Sequence, residues 1–422
     1  MRVFDQVYSF FIRNKKKSIV LLILLAVIII PTCVSKPKSD YIEFRGEPYV
    51  GSVVCKDCHA AIYFDYLHTA HYNTSSDSLP LFVQNEFAEG KNRFRFNDSE
   101  SVAMEKQNDH FYQSLYVNDQ KKSSASFDII VGSGRKAQTY LYFNEIGKIS
   151  QLPVSYFVSQ HSWANSPGFP TDHPKFNRNI PSYCMGCHSS YIGVKQTYKG
   201  LAMEEQFEKG KIIFGIDCER CHGPALSHVE YQTSHPNDKE GRYITKISSL
   251  SRVQKNDACA LCHSGFKNSQ QSVFQFKPGD DLSNFYVPEY PAFDTSNMDV
   301  HGNQTQLMMA SKCYRVSKDL TCNSCHNVHL KERDDLITFS ERCMNCHKGV
   351  KHTFFNFNTE NHEIFSNNCI DCHMPLKASG LITMMTRSKM DAYPDYIRTH
   401  LIGIYKEESK RYIDSLLSSM SK

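Results

Sequence analysis

The 422-residue sequence is short of apolar side chains and of net charge. The residues AVILMFWYC make up 41% of it, and exchanging the 23 Tyr for the 20 Gly leaves about 40% on the usual scale, below the 45–50% of ordinary domains. With 27 Phe and 23 Tyr it is nonetheless too aromatic to be a disordered chain. Lys and Arg number 48 against 44 Asp and Glu, a balance that offers no basic surface for nucleic acid. No exact repeat period runs through the chain, which excludes a solenoid. A length of this order implies two or three domains, yet the apolar content is lean for their cores. Something besides side chains helps hold this chain together.

What the sequence has in excess is cysteine and histidine, 16 and 19 respectively. Fourteen of the cysteines fall into seven copies of C-x-x-C-H. In order they are Cys55, Cys58 and His59; Cys184, Cys187 and His188; Cys218, Cys221 and His222; Cys259, Cys262 and His263; Cys322, Cys325 and His326; Cys343, Cys346 and His347; and Cys369, Cys372 and His373. Chance would give roughly 0.03 such matches in a chain of this composition. Two thiols three positions apart can add to the two vinyl groups of one haem, and the histidine that follows then lies under the iron. This is the signature of c-type haem attachment, which implies seven covalently held haems. Zinc ribbons use C-x-x-C pairs in twos and need no histidine after each one. Disulfide scaffolds belong to short secreted chains. Cys33 and Cys313 are left over, and Cys313 reads as a buried free thiol.

Arg13 and Lys15–Lys17 precede an apolar run over 18–34. Its seventeen residues span roughly 25 Å as a helix, slightly short of a hydrocarbon core of about 30 Å. Basic residues ahead of such a run keep 1–17 in the cytoplasm and send the remainder out. An uncleaved membrane anchor is the favoured reading. A lipoprotein cut before Cys33 is its rival, although Pro31 and Thr32 fit poorly where small residues are expected, and a plain cleaved signal comes third. All three place the haem region in the periplasm.

The remaining chain divides into a linker at 35–48, a first haem-binding segment at 49–80, a β-rich insert at 81–180, a six-haem domain at 181–400 and a C-terminal helix at 401–422. A helix is expected from Lys56 to about Tyr72, where Ala60, Ala61, Tyr63, Phe64 and Leu67 recur at helical intervals. In the insert, Phe94 and Phe96 alternate with Arg93 and Arg95, and Phe127, Ile129 and Val131 alternate as well. Phe111–Val117 and Thr139–Phe143 are further strands, the latter followed by a turn at Asn144–Lys148. These strands lie within Leu81–Tyr156 as a small antiparallel sheet. After Cys184 the motifs follow at spacings of 34, 41, 63, 21 and 26 residues. The fold class is therefore α+β, irregular and mainly helix and loop, with porphyrin supplying much of the buried apolar surface. Tyr412–Leu417 belongs to an amphipathic C-terminal helix.

Twelve histidines remain outside the motifs: His68, His71, His110, His161, His173, His228, His235, His301, His329, His352, His362 and His400. Twelve exceed seven, so each iron can have histidine on both faces, the ligation of low-potential carriers. His71 follows the first motif by one helical stretch, His228 follows His222 by six residues, and His329 follows His326 by three. His301 and His400 stand outside any motif. The 13 Met, including Met374 directly after His373, form no pattern that demands coordination and read as packing.

The stretches YVGSVVCKDCHAAIYFDYLHTAHY, GIDCERCHGPALSHV, SKCYRVSKDLTCNSCHNVH and NCIDCHMP resemble the multihaem c-type cytochromes related to the tetrahaem electron acceptor of hydroxylamine oxidoreductase. The resemblance covers roughly Tyr49–Tyr405 and is weak over the β insert. It implies that His71, His228, His301, His329 and His400 are distal ligands, with His173 or His362 completing the set. CHMP endings recur in nitrogen-cycle enzymes of the superfamily, so they do not mark an activity.

The expected function is a membrane-tethered electron carrier that serves unidentified redox protein partners. The alternative is an oxidoreductase acting on a small nitrogen or sulfur compound at one open-faced haem, with Arg178, Tyr183 and His161 as pocket candidates. The related nitrite reductases use C-x-x-C-K at their catalytic haem, whereas every motif here ends in histidine. The formal charge of +4 also changes meaning, because seven haems would add about fourteen propionates and turn the protein acidic.

Overall fold

The computed structural model describes residues 43–199, 202–265, 269–286, 295, 298–350, 352, 367–385 and 392–420. The expected tail, the apolar run, Cys33 and His362 lie outside these residues. Among the described residues no helix is long and apolar enough to cross a membrane.

Helix α1 (Ser52–Tyr66) carries the first motif. It is shorter than the pattern of apolar residues suggests. The Thr69 hydroxyl donates to the Tyr66 carbonyl at 2.7 Å and closes the chain into a turn. The chain therefore leaves the helix axis before His71.

The insert holds two antiparallel sheets. Strands β2 (Arg93–Arg95), β3 (Glu100–Gln107), β4 (His110–Val117) and β5 (Gln120–Ser126) form a meander in that order. Two-residue turns join β3 to β4 and β4 to β5, with positive φ at Asn108 (47°), Asp109 (63°), Asn118 (48°) and Asp119 (59°). Asn and Asp tolerate this conformation, which matches the twist of a tight hairpin. The second sheet runs β1 (Ser75–Ser76), β6 (Ile129–Val131), β7 (Ala137–Phe143), β8 (Ile149–Gln151) and β11 (Arg178–Asn179). Strand β9 (Val154–Phe157) pairs with β7, and β10 (Ser162–Asn165) with β9. The strands expected at Phe94, Phe111–Val117, Ile129 and Thr139–Phe143 are all present.

Two further hairpins interrupt the region read as helix and loop. Strands β12 (Ser189–Lys199) and β13 (Ala202–Phe214) separate the second motif from the third. Strands β14 (Leu376–Met384) and β15 (Tyr393–Arg398) follow the seventh. Both have irregular register, and charged residues such as Glu204, Glu205 and Lys195 break up the alternation that marks a half-buried strand.

The largest apolar core belongs to the insert. Phe94, Val102, Met104, Ile130, Leu152 and Trp163 close around Tyr140, whose ring stacks on Phe127 at 4.1 Å between centroids. A second core joins Ile129, Leu141 and Ile149 to Ile192, Phe207 and Met185, the last of these from the second motif. That motif is thereby packed against the insert.

The segment before α1 is held by charge. Arg45, buried at 6% side-chain exposure, meets Asp217 at 2.6 Å, Glu43 at 2.8 Å and Glu219 at 3.1 Å. Burial works against the guanidinium's charge, but Glu43 and Asp217 outweigh it and its pKa is raised. Glu219 also accepts from the Gly51 amide at 2.7 Å and the Ala225 amide at 2.9 Å. Its pKa is raised by burial, which those bonds oppose. Removing the guanidinium leaves three acidic groups close together in the interior. Arg45→Met is expected to cost about 3–5 kcal/mol, measured by denaturant unfolding.

A second charged latch has an acid dependence. Arg342 holds the Glu332 carboxylate with both terminal nitrogens, Nη1 at 2.7 Å from Oε2. This bonding holds the Glu332 pKa below its ordinary value, against the opposing effect of burial. The unfolded chain therefore takes up the proton first. The stabilisation is complete above the ordinary carboxylate pKa of about 4.3 and is lost as pH falls through the folded-state value. Melting temperature between pH ~5 and ~3 should fall less steeply in Arg342→Gln than in the unaltered chain.

Candidate cofactor-binding sites

Each motif is close to a single helical turn, which sets two thiols and an imidazole around one position. Helices α3 (Ser182–Met185), α4 (Cys218–His222), α6 (Arg252–His263), α9 (Leu336–Met344) and α10 (Ile370–His373) carry or adjoin the second, third, fourth, sixth and seventh motifs. The fifth is a tight turn in which the His326 amide donates to the Cys322 carbonyl at 3.0 Å, as His347 does to Cys343 and His373 to Cys369. None of the fourteen motif cysteines is in a disulfide. Among the described residues, no three His, Cys, Asp or Glu side chains gather as a compact metal cluster. The histidines instead come in twos.

Five motif histidines face a second imidazole. His59 and His228 stand 6.5 Å apart between ring centroids with planes 14° apart. His222 and His329 are 6.0 Å and 7° apart. His326 and His400 are 6.2 Å and 26° apart, and His352 and His373 are 6.1 Å and 36° apart. His71 and His263 are 6.1 Å apart but nearly perpendicular, at 88°. Two imidazoles on opposite faces of one metal ion, with bonds of about 2.0–2.1 Å and centroids about 1.1 Å behind the nitrogens, lie roughly 6.2 Å apart. All five separations fall close to that value, so these residues fit a haem iron between them.

The second ring nitrogens support the same fit. The Nδ1 atoms of His222, His228 and His373 lie 3.0, 2.7 and 2.7 Å from the carbonyls of Thr245, Arg242 and Gly403. A carbonyl can only accept, so Nδ1 carries the proton and Nε2 is left as the lone-pair donor toward a metal. His188 Nδ1 is 3.0 Å from the Thr74 hydroxyl. Burial lowers the pKa of His71, His188 and His400 to about 4 each, which keeps these imidazoles neutral.

The remaining predicted residues divide. His301 is a charge neighbour of His188 and largely buried, its pKa lowered by that burial. His347 is exposed, and no imidazole faces it among the described residues. His173 is exposed and bonded to Asp172 at 2.8 Å, so the structure places it on the surface and not over a motif. Arg178 donates to the Pro167 carbonyl at 2.8 Å, Tyr183 is exposed beside Cys184, and His161 is exposed. Cys313 is partly buried, near Cys325 and Cys346.

His352 was not among the predicted ligands. The signal for it was its position five residues past His347, since His228 and His329 likewise follow one motif and face the histidine of another. A cleft of about 360 Å³ opens among Cys221, His222, His326 and His329.

Comparison with known proteins adds two findings. A family profile described as "Cytochrome c554 and c-prime" matches residues 169–223, a stretch that includes the second and third motifs. The crystal structure of an outer cell wall cytochrome, OcwA, is similar over 86% of this chain and 81% of that one, at 16% identity and a TM-score of 0.50. No curated protein matches significantly. The first finding covers only the stretch around two motifs, and the second is a likeness of fold.

Proposed function

We propose that the chain carries seven c-type haems, most of them ligated by histidine on both faces, and passes electrons among them in the periplasm, tethered to the membrane by residues 18–34. The observation that carries the ligation is the set of five imidazole pairs at 6.0–6.5 Å. The cysteine pairs hold the cofactor covalently, so it does not depend on a tight pocket. Carbonyls on Nδ1 fix the ring orientation and make Nε2 the ligating atom. Imidazole on both faces lowers the potential relative to a methionine ligand. When bound, the haem supplies a reversible one-electron couple. The electron donor and acceptor are redox proteins outside this chain.

Ligation of both faces leaves no place for a substrate on those irons. The oxidoreductase alternative therefore concentrates on the second and sixth motifs, whose His188 and His347 lie outside the five pairs. In the sixth motif His347 is exposed, and no imidazole faces it among the described residues.

Mass spectrometry and the pyridine haemochrome assay should give seven haems per chain; a count of zero or one would end this reading. His329→Gly should open one face, converting one seventh of the ferric iron to a high-spin form that binds cyanide, and added imidazole should restore the low-spin spectrum. His173→Gly should change nothing. Nitrite or hydroxylamine turnover by the unaltered protein, with a high-spin signal at rest, would favour the enzyme. Fractionation tests the tether: the full chain should sediment with membranes, while residues 43–422 behind a cleavable signal should not.

A further inference from the structure

The motifs adjoin one another in an order that differs from their order in the chain. The first touches the third, not the second. Cys55 and Cys218 lie side by side, and the Cys218 amide donates to the Ser52 hydroxyl at 3.0 Å. The Gly51 amide adds its bond to Glu219, and His228, just past the third motif, faces His59 of the first. The second motif touches the fourth: Cys187 bonds Cys262, whose sulfur also lies 3.8 Å from the Gly186 carbonyl. The fourth touches the fifth through Cys259 and Cys322, with Asn256 Oδ1 accepting from the Cys322 amide at 3.2 Å.

The third and fifth share the cleft between His222 and His329, into which His326 also opens. The fifth meets the sixth where Arg342 donates to the Cys325 carbonyl at 2.6 Å. The sixth and seventh join through Cys343 and Cys369, with the Cys369 amide on the Ser340 hydroxyl at 2.9 Å.

From these junctions we infer that the haem sites form a three-armed network. Sites 3, 4 and 5 make the centre. Site 1 hangs from site 3, site 2 from the centre through site 4, and sites 6 and 7 form a third arm from site 5. The inference rests on the electron-transfer reading above. A hop moves one electron from one site to its neighbour, the first losing what the second gains, with no bond made or broken. Porphyrins held by adjoining cysteine pairs would be neighbours, so hopping would follow these junctions. A protein wired in this way has three ends and can serve one donor and two acceptors at once. A single file in motif order has two.

The second arm ends against the β insert. Met185 lies in the core with Ile129, Leu141 and Ile149, and Thr74 bonds His188.

The test uses the full haem-loaded chain with Cys33 and Cys313 changed to Ser. A ruthenium photosensitiser sits on Lys410→Cys in helix α11 (Lys406–Met420), which packs on the seventh motif through Asn368 and Tyr412 at 2.8 Å. Repeated flashes with a sacrificial donor inject electrons at site 7, and the readout is the number of haems reduced in the fast phase. Cys184→Ala with Cys187→Ala, which removes site 2, should leave all six remaining haems connected. Cys218→Ala with Cys221→Ala, which removes site 3, should strand site 1 and leave five of six.

A single file in motif order gives five of six and four of six instead, and that outcome overturns the network. Iron positions from anomalous scattering of the unaltered chain give the answer without any variant. Iron 1 lying nearest iron 3 upholds the inference, and iron 1 lying nearest iron 2 refutes it. Failure of haem attachment itself shows as a low count by mass spectrometry, separate from either result.

Discussion

The constraint on which the structure turns is that no paired site is built from one stretch of chain. His59 faces a histidine that follows the third motif, His222 one that follows the fifth, and His263 one that follows the first. His326 is faced from the C-terminal region by His400, and His373 by His352 beyond the sixth motif. Four of the five pairs therefore close long loops, His352 and His373 being nearer in sequence. Closing loops costs entropy that grows only slowly with length, so a bond to iron between the rings can hold segments far apart in sequence. In the proposed reading, ligation and folding are one event, as they are in other chains whose metal sites exist only in the folded state.

The distribution of apolar residues fits that reading. The insert has a side-chain core of the usual kind around Tyr140 and Trp163. Around the motifs, large apolar side chains stand open: Val53, Ile62 and Phe64 on α1, and Ile337, Met344 and Val350 near the sixth motif. Porphyrin faces would cover such residues. Where apolar packing is thin the chain relies on polar latches, namely Arg45 on Asp217 and Glu219, Asn256 on Cys322, Ser340 on Cys369 and Arg342 on Glu332. The lean composition is thus divided unevenly, with the apolar residues concentrated where there is no cofactor to bury.

Legibility in the sequence followed the range of the interaction. The C-x-x-C-H motifs are local chemistry and could be read from spacing alone. The insert strands could be read because Phe94, Ile129 and Tyr140 sit on regular alternations. The β12–β13 hairpin could not, because its register shifts near Gly193 and its outer half is charged. Candidate second ligands were legible as a set, since His71, His228, His329 and His400 all face motif histidines. Their partners were not, because pairing is fixed by which segments meet in space. His173, offered by the resemblance as one of two residues to complete the set, bonds Asp172 one residue away. His352 shows the converse, a residue passed over although its offset from a motif matched the others.

Under the proposed reading, the polar groups around the motifs bear on the choice between carrier and enzyme. A catalytic haem needs an iron face that the protein leaves open and lines with polar groups. Here many polar groups close to the motifs are turned to other work, although Arg220 Nε and His400 Nδ1 are buried without a partner. Carbonyls of Thr245, Arg242 and Gly403 orient imidazoles, and Glu219, Asn256 and Ser340 tie one motif to the next. Side chains spent on fixing motif against motif set the spacing between neighbouring cofactors, which is what electron hopping requires of a protein. The architecture is therefore organised at the junctions between sites more than within any one of them, and that is the arrangement expected of a conductor.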